Sequence, residues 1–527
     1  MREGEGTAEA RKGGFRKEIG FWSVVFLAVG AILGPAVAFT PVSVLADGGP
    51  AGILSWLIAF FLILPVAFVY AELGSTWPKA GGVGYYAYKG NGPLVGVLNG
   101  WGAYIGYTLA SASIIIALVE YLSYFFPSLY SNGNLTPLGI GVAAVGILLI
   151  YVINIMRIKR LAEINNGLTV LTLLLLAIMI VGLGLHFNPS YLNDPKFGGF
   201  MPLGITGVFL ATSATIYGYG GFRQPVDYAE ELKDPGKSLP RAILMTLIIV
   251  FVVYVLESLV FAGTVDWSYL GITPGNWAGL SNLAYPYVSA SEALGLTLIA
   301  VVAMILAIIA SFKDGVIYFG GASRVAYALS NYDYAFPRFL NRMSSKGIPI
   351  AATTLSLIIS LLFLALFPSF SSIFSLVVDG LLLSYAPGAV SLAVLRKISP
   401  DVRRPYKLPA FTVTAPLAFV VSALMIFWSG WQETSVLVTT ALIGMVFLAF
   451  YHRYKGVSKD EIKYGIWLPL YMVAVLAISY SSSSYFGGQG YLPFPLDNMV
   501  FILVTLGFYF WGYKSGVALL RKRGVYD

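Results

Sequence analysis

Runs of about 20 consecutive apolar residues recur along this chain, separated by short segments that collect its charges and many of its glycines and prolines. A helix rises about 1.5 Å per residue, so each run reaches across a hydrocarbon layer of roughly 30 Å. No water is present there to pair an open backbone, which leaves helices or a closed barrel as the spanning forms. A barrel would read as segments of about ten residues with alternating polarity. These runs are continuous, so the chain is an all-α polytopic membrane protein. Composition agrees, with 57% hydrophobic and only 11% charged residues, against about 25% charged in soluble domains.

Gly, Pro and charge punctuate the runs into predicted spans near 21–45, 51–72, 94–126, 136–156, 162–186, 203–231, 240–263, 292–320, 349–367, 372–395, 410–430, 434–452, 464–484 and 497–514. That makes about 14 transmembrane helices. The formal charge of +8 invites a nucleic-acid reading, but in a membrane protein basic residues first orient the loops. With a cytoplasmic N-terminus, all but three of the 33 Lys and Arg fall at the inner ends or in the inner loops. The exceptions are Lys196 outside and Arg223 and Lys313 within spans. The excess charge is thus topological and implies no nucleic-acid partner. Both tails, 1–20 and 515–527, are expected on the cytoplasmic side of a cell membrane, and the polar start carries no removable signal peptide. The chain has no Cys and two His, His186 and His452. That leaves no thiolate or His-rich metal chemistry, and no metal or cofactor is expected.

Two spans carry helix breakers at matching places. Span 1 reads Gly30-Ala31-Ile32-Leu33-Gly34-Pro35-Ala36, and span 6 reads Tyr217-Gly218-Tyr219-Gly220-Gly221. Proline removes a backbone donor and glycine weakens a helix. Breaks five spans apart are what an inverted repeat of five helices plus five produces, with substrate held between them. A small-residue packing face formed by Gly30 and Gly34 is the alternative.

Beyond these breaks, GAILGPAVAFTP in span 1, GPAGILSWLIAFFLILPVAFVYAELGSTWPKAGG, GFRQPVDYAEELKDPGKSLPRAI, GASRVAYALSNYDYAFPRFL and RRPYKLP together resemble the amino acid-polyamine-organocation superfamily over most of residues 20–410. The resemblance implies a leucine-transporter-type fold, with 21–186 as the first repeat, 203–396 as the second and spans 11–14 (410–514) peripheral. It also implies a secondary active permease for an amino acid or related amine. By the same resemblance, amides at Ile32, Leu33, Gly34 and Ala36 would hold the substrate carboxylate. Carbonyls near Tyr217, Gly218 and Tyr219 would hold its ammonium, with Tyr217 at the place of a gating aromatic. Pro35 cannot donate, and Ala36 stands where relatives usually have glycine.

The family's Gly-Phe-Glu after the span 6 break is here Gly221-Phe222-Arg223. An Arg at membrane depth costs several kcal/mol on insertion scales unless paired. It would either bind an acidic substrate side chain or pair with Asp227, one turn on. In span 8, Ser311, Lys313 and Asp314 are candidates for the ion site. Relatives that do not use sodium often place a span 5 lysine there, where this chain has Thr172. Lys313 would supply that charge and Asp314 would partner it or carry a proton, unless both face the cytoplasmic vestibule. Asp227, Glu230 and Glu231, with Asp234, Lys233, Lys237 and Arg241, would form a solvated network gating the inner face. Glu120, Glu257 and Asp379 remain as intramembrane acids without an assigned role.

A channel would need a continuous polar pore, and an enzyme an assembled acid-base or metal set, which two peripheral histidines do not supply. No nucleotide-binding motif is present. The expectation is therefore a proton-coupled, sodium-independent amino-acid permease with a preference for acidic substrates. An amine, polyamine or amino-acid exchanger of the same superfamily is the alternative.

Overall fold

The computed structural model of the chain describes residues 14–331, 336–369, 384–455 and 459–524. Almost all of them are helical; among them the only strands are the two-residue pair Tyr130–Ser131 and Asn134–Leu135, a small hairpin before span 4. Each predicted span meets a helix. Span 1 is divided into Phe21–Gly30 and Thr40–Gly48, and span 2 is Leu54–Thr76. Spans 3, 4 and 5 are Gly82–Leu122, Pro137–Asn154 and Ile158–Gly184. Span 6 is Gly204–Gly218 followed by the short Gln224–Asp227, and spans 7, 8 and 9 are Pro235–Ala262, Thr297–Asn331 and Ile350–Leu366. The described part of span 10 is Ala386–Ile398, so its predicted first half and Asp379 lie outside the described residues. Spans 11 and 12 are Phe411–Ser429 and Trp431–Lys455. Span 13 comprises Lys459–Gly465 and Trp467–Ser481, and span 14 is Leu496–Lys522.

Span 3 begins twelve residues before the sequence reading placed it. Gly92, at φ 82°, and Pro93 kink the helix there, so the expected start marks the kink and a short lead helix precedes it.

Span 5 explains how a uniformly apolar helix chooses its faces. Leu171, Leu174, Ile178 and Val181 recur at helical spacing and are exposed, the pattern of a lipid-facing stripe. The opposite face buries Asn165, Thr169, Thr172, Leu176 and Met179. Its polar members there turn toward the other spans.

Packing carries the signature of the internal repeat. Span 1 packs on span 7 as span 6 packs on span 2, and span 5 meets span 8 as span 10 meets span 3. Spans 1 and 6, 2 and 7, 3 and 8, and 4 and 9 also meet as pairs. Each contact has its counterpart when spans 1–5 are exchanged for 6–10, and a five-span offset reverses the chain direction across the bilayer.

Candidate functional site

The helix of span 1 stops at Gly30, and residues 31–34 are unwound before a single 3-10 turn, Pro35–Ala38. Freed backbone groups in an apolar interior require partners, and nearly every carbonyl here has one. Lys313 Nζ donates to Gly30 O at 3.0 Å and Leu33 O at 2.8 Å. The hydroxyls of Tyr318 and Tyr254 donate to Ala31 O and Ile32 O, both at 3.3 Å, and that of Tyr121 to Pro35 O at 3.4 Å. Gly34 O accepts from Val37 N. The unwound segment is therefore held open by side chains from spans 3, 7 and 8.

The amides divide differently. Those of Ile32 and Leu33 both turn back to Val29 O, at 3.2 and 2.9 Å. Gly34 and Ala36 have no acceptor among the described residues, and Ala36 is partly exposed. The four-amide cradle implied by the family resemblance is thus reduced to two free N–H groups in this conformation.

Span 6 breaks after Gly218, and residues 219–223 form turns before Gln224–Asp227. Tyr217 O accepts from Gly220 N at 2.7 Å, while the carbonyls of Gly218 and Tyr219 meet no donor among the described residues. The two breaks touch. Gly221 has φ 107°, and a side chain there would collide with the carbonyl of Ala31, so only glycine allows this approach. A Cβ on Gly34 would likewise strike the carboxylate of Asp314. Two free amides on span 1 and two free carbonyls on span 6 are complementary to an α-carboxylate and an α-ammonium.

Tyr217 is turned toward span 11, where its hydroxyl donates to the carbonyl of Met425. Tyr219 is buried beside Trp56, with its hydroxyl on Trp56 O at 3.0 Å.

Arg223 is 1% exposed and surrounded by hydrogen-bond acceptors. It donates to Ser384 O at 2.7 Å, Ser384 Oγ at 2.6 Å, Tyr107 Oη at 2.9 Å and Tyr70 Oη at 3.5 Å, and lies 4.0 Å from the Tyr385 ring centre. Its Nε has no partner among the described residues. The expected direct pair with Asp227 is replaced by a relay: Tyr107 accepts from Arg223 and donates to Asp227 at 2.7 Å. The reason is that span 3 places the Tyr107 hydroxyl between the two charges.

Lys313 and Ser311 are fully buried and Asp314 nearly so. Ser311 donates to Ala307 O within its own helix at 2.7 Å. Asp314 lies against Gly34, with Oδ1 unpartnered among the described residues. Span 8 continues to Asn331, so these residues lie in the body of the helix and not at a vestibule end. Thr172 donates to Leu168 O within its own helix at 2.8 Å.

The inner network differs from the expected solvated one. Glu231 is fully buried and pairs with Arg324 of span 8 in bidentate fashion, at 2.6 and 2.8 Å, in place of Lys233, Lys237 or Arg241. The length of span 8 brings Arg324 under the loop after span 6, where it also covers the Tyr228 ring at 3.9 Å. Asp227 accepts from Val83 N and Glu230 from Ala80 N, both at 3.2 Å, which ties the loop after span 6 to the start of span 3. Asp234 caps span 7.

One cluster had no forecast. Glu72, fully buried near the end of span 2, pairs with Arg396 of span 10 and lies 3.3 Å from Arg404, and it accepts Leu408 N at 2.6 Å. The signal was present in AELG and RRPYKLP, which a single sequence gives no means of pairing.

The sequence model described as amino acid permease matches residues 19–450. The glutamate/serine transporter AimA of Bacillus subtilis is 29% identical over 514 residues, covering 95% of this chain and 94% of that protein. The aspartate-proton symporter of the same organism is 28% identical over 518 residues, 96% of this chain and 98% of its own. The branched-chain amino acid permease BcaP, also from Bacillus subtilis, is 25% identical and covers 83% and 93%. With paired helix breaks, a zwitterion-complementary backbone and a match over most of its length, this chain belongs to the amino acid permease family.

Proposed function

We propose that this permease carries an amino acid together with a proton, without sodium, and that it favours substrates with an acidic side chain. It would do so in a cell membrane, with both termini in the cytoplasm, an orientation supported by the one-sided distribution of Lys and Arg. The observation that carries the coupling reading is the ammonium of Lys313 between the carbonyls of Gly30 and Leu33. A fixed cation there supplies the charge that a bound metal cation would otherwise bring to those oxygens.

Substrate would enter with its carboxylate on the amides of Gly34 and Ala36 and its ammonium on the carbonyls of Gly218 and Tyr219. The acidic preference is supported by the printed substrates of the glutamate/serine transporter and the aspartate-proton symporter. Arg223 supplies a chemical reason: a buried guanidinium repels cationic substrates. Its hold on Ser384 must loosen for it to meet a substrate carboxylate, so span 10 would move as an acidic side chain binds. Asp314, against Gly34 with an unpartnered oxygen, is a candidate proton carrier.

The test is uptake of labelled aspartate, glutamate, serine and lysine by proteoliposomes, in sodium and choline buffers with the pH gradient held equal. Acidic substrates should be accumulated in both buffers. Strong sodium stimulation, or uptake of lysine in preference to aspartate, would overturn the reading.

A further inference from the structure

Span 7 holds a carboxyl group that none of these contacts uses. Glu257 is fully buried, and neither of its oxygens has a hydrogen-bond partner among the described residues. Among the described residues it has no ion pair. Its neighbours on the same helix are both engaged elsewhere. Ser258 accepts from Trp56 Nε1 at 2.9 Å, and Tyr254, one turn earlier, stacks on Trp56 at 4.5 Å and donates to Ile32 O. Glu257 thus stands one helical turn from the residue that props the span 1 break.

The titratable groups within electrostatic reach of Glu257 are the hydroxyls of Tyr254 and of Tyr287, from helix Pro286–Ala293. Tyr287 has no hydrogen-bond partner among the described residues either. Asp314 of span 8 and Tyr219 of span 6 approach the same Tyr254. Of the spans packed on span 7, span 1 carries Asp47 in its last turn. Span 2 carries Tyr70 and the already paired Glu72, and span 5 carries Lys159, Arg160 and Glu163 in its first two turns. Among the described residues no base neutralises Glu257. An ionised carboxylate with no partner in such an interior costs several kcal/mol or more, whereas the neutral acid avoids most of that cost.

We infer that Glu257 is a proton-binding site: it holds a proton as the neutral acid in this conformation and releases it when the span 1 break rearranges. The inference rests on the proton-coupled reading above. The proton is bound as the carboxylic O–H. When Tyr254 leaves Ile32 and water reaches span 7, that bond breaks, the proton passes to water and the carboxylate is hydrated; the next proton re-forms the acid. Glu257 acts on the break through Tyr254 and touches no substrate atom.

The experiment uses the full chain in proteoliposomes, wild type beside Glu257→Gln, which keeps the shape of the neutral acid and cannot ionise. One coupled proton raises the attainable accumulation about tenfold per unit of pH gradient. Wild type should show that dependence, and Glu257→Gln should lose it while retaining a substrate-dependent thermal shift. Infrared difference spectra across a pH jump give a second readout, in which a protonated-carboxyl band present in wild type should be missing from the variant. A variant that keeps both the tenfold dependence and the band overturns the inference. If wild type shows no pH-gradient dependence, proton coupling itself fails, and the infrared band still decides whether Glu257 binds a proton. If Glu257→Gln does not insert, Glu257→Asp takes its place, and an unchanged band frequency in that variant equally overturns the proposal.

Discussion

Replacing Lys313 by methionine tests the central contact, because it removes the charge and keeps most of the length. Two terms oppose each other. The ammonium is fully buried, and burying an ion costs several kcal/mol. Its loss leaves the carbonyls of Gly30 and Leu33 unpartnered, at about 1–3 kcal/mol each. These are of similar size and opposite sign, so the stability of Lys313→Met should stay within roughly 2 kcal/mol of wild type. Transport has no such cancellation. The ammonium is the only side chain clamping two positions of the break at once among the described residues, and one charge-assisted bond is worth about 1.5–3 kcal/mol. Uptake should therefore fall by at least about tenfold, while the melting temperature moves by only a few degrees. Proteoliposome uptake and a thermal-unfolding scan on the same preparation measure the two quantities. Wild-type uptake by Lys313→Met would refute the reasoning, and so would collapse of the fold with no active fraction.

Four further outcomes follow from the same contacts. Gly34→Ala should disturb folding and abolish uptake, because the added methyl meets the Asp314 carboxylate, and Gly34→Ala with Asp314→Ala should regain folding, read by detergent gel filtration. Arg223→Gln should weaken competition by aspartate and glutamate by about ten- to a hundredfold and that by serine far less; an equal loss for every substrate, matched by Tyr107→Phe, would make Arg223 a strut. Glu231→Gln breaks a buried bidentate pair and should cost about 3–5 kcal/mol, seen as a lower melting temperature that Arg324→Gln reproduces and the double variant partly restores. Glu72→Gln should raise the labelling of a cysteine introduced at Leu408 by a membrane-impermeant thiol reagent, since this carboxylate anchors that segment.

Much of this was legible in the sequence. Apolar run length located the spans because the bilayer leaves a helix no alternative, and the breaks were visible because Gly and Pro act locally. Lys313 and Asp314 could be singled out since a charge in an apolar run needs a reason. What could not be read was partnership. Nothing in the chain says that Glu231 chooses Arg324 over the nearer Lys233, or that Tyr107 intervenes between Arg223 and Asp227, because those choices depend on the rotation and length of spans 3 and 8. The amides of Ile32 and Leu33 illustrate the same limit: whether an unwound segment offers its N–H groups outward or folds them onto Val29 is decided by a few dihedral angles.

The N-terminal segment offers a way to watch this molecule work. Glu18 and Ile19 donate their amides to the carbonyl of Glu231, and Lys233 returns one to Ile19, all at 3.0 Å, while Arg16 reaches Ser345 O at 2.8 Å. This short stitch joins residues 18–19 to the loop that follows span 6, so it comes undone whenever that loop parts from the N-terminal segment. Its three amides are then sentinels whose hydrogen-deuterium exchange is timed by that separation. Protection at Glu18, Ile19 and Lys233 that rises and falls together with added substrate would turn an otherwise silent tail into a clock for each half of the transport cycle.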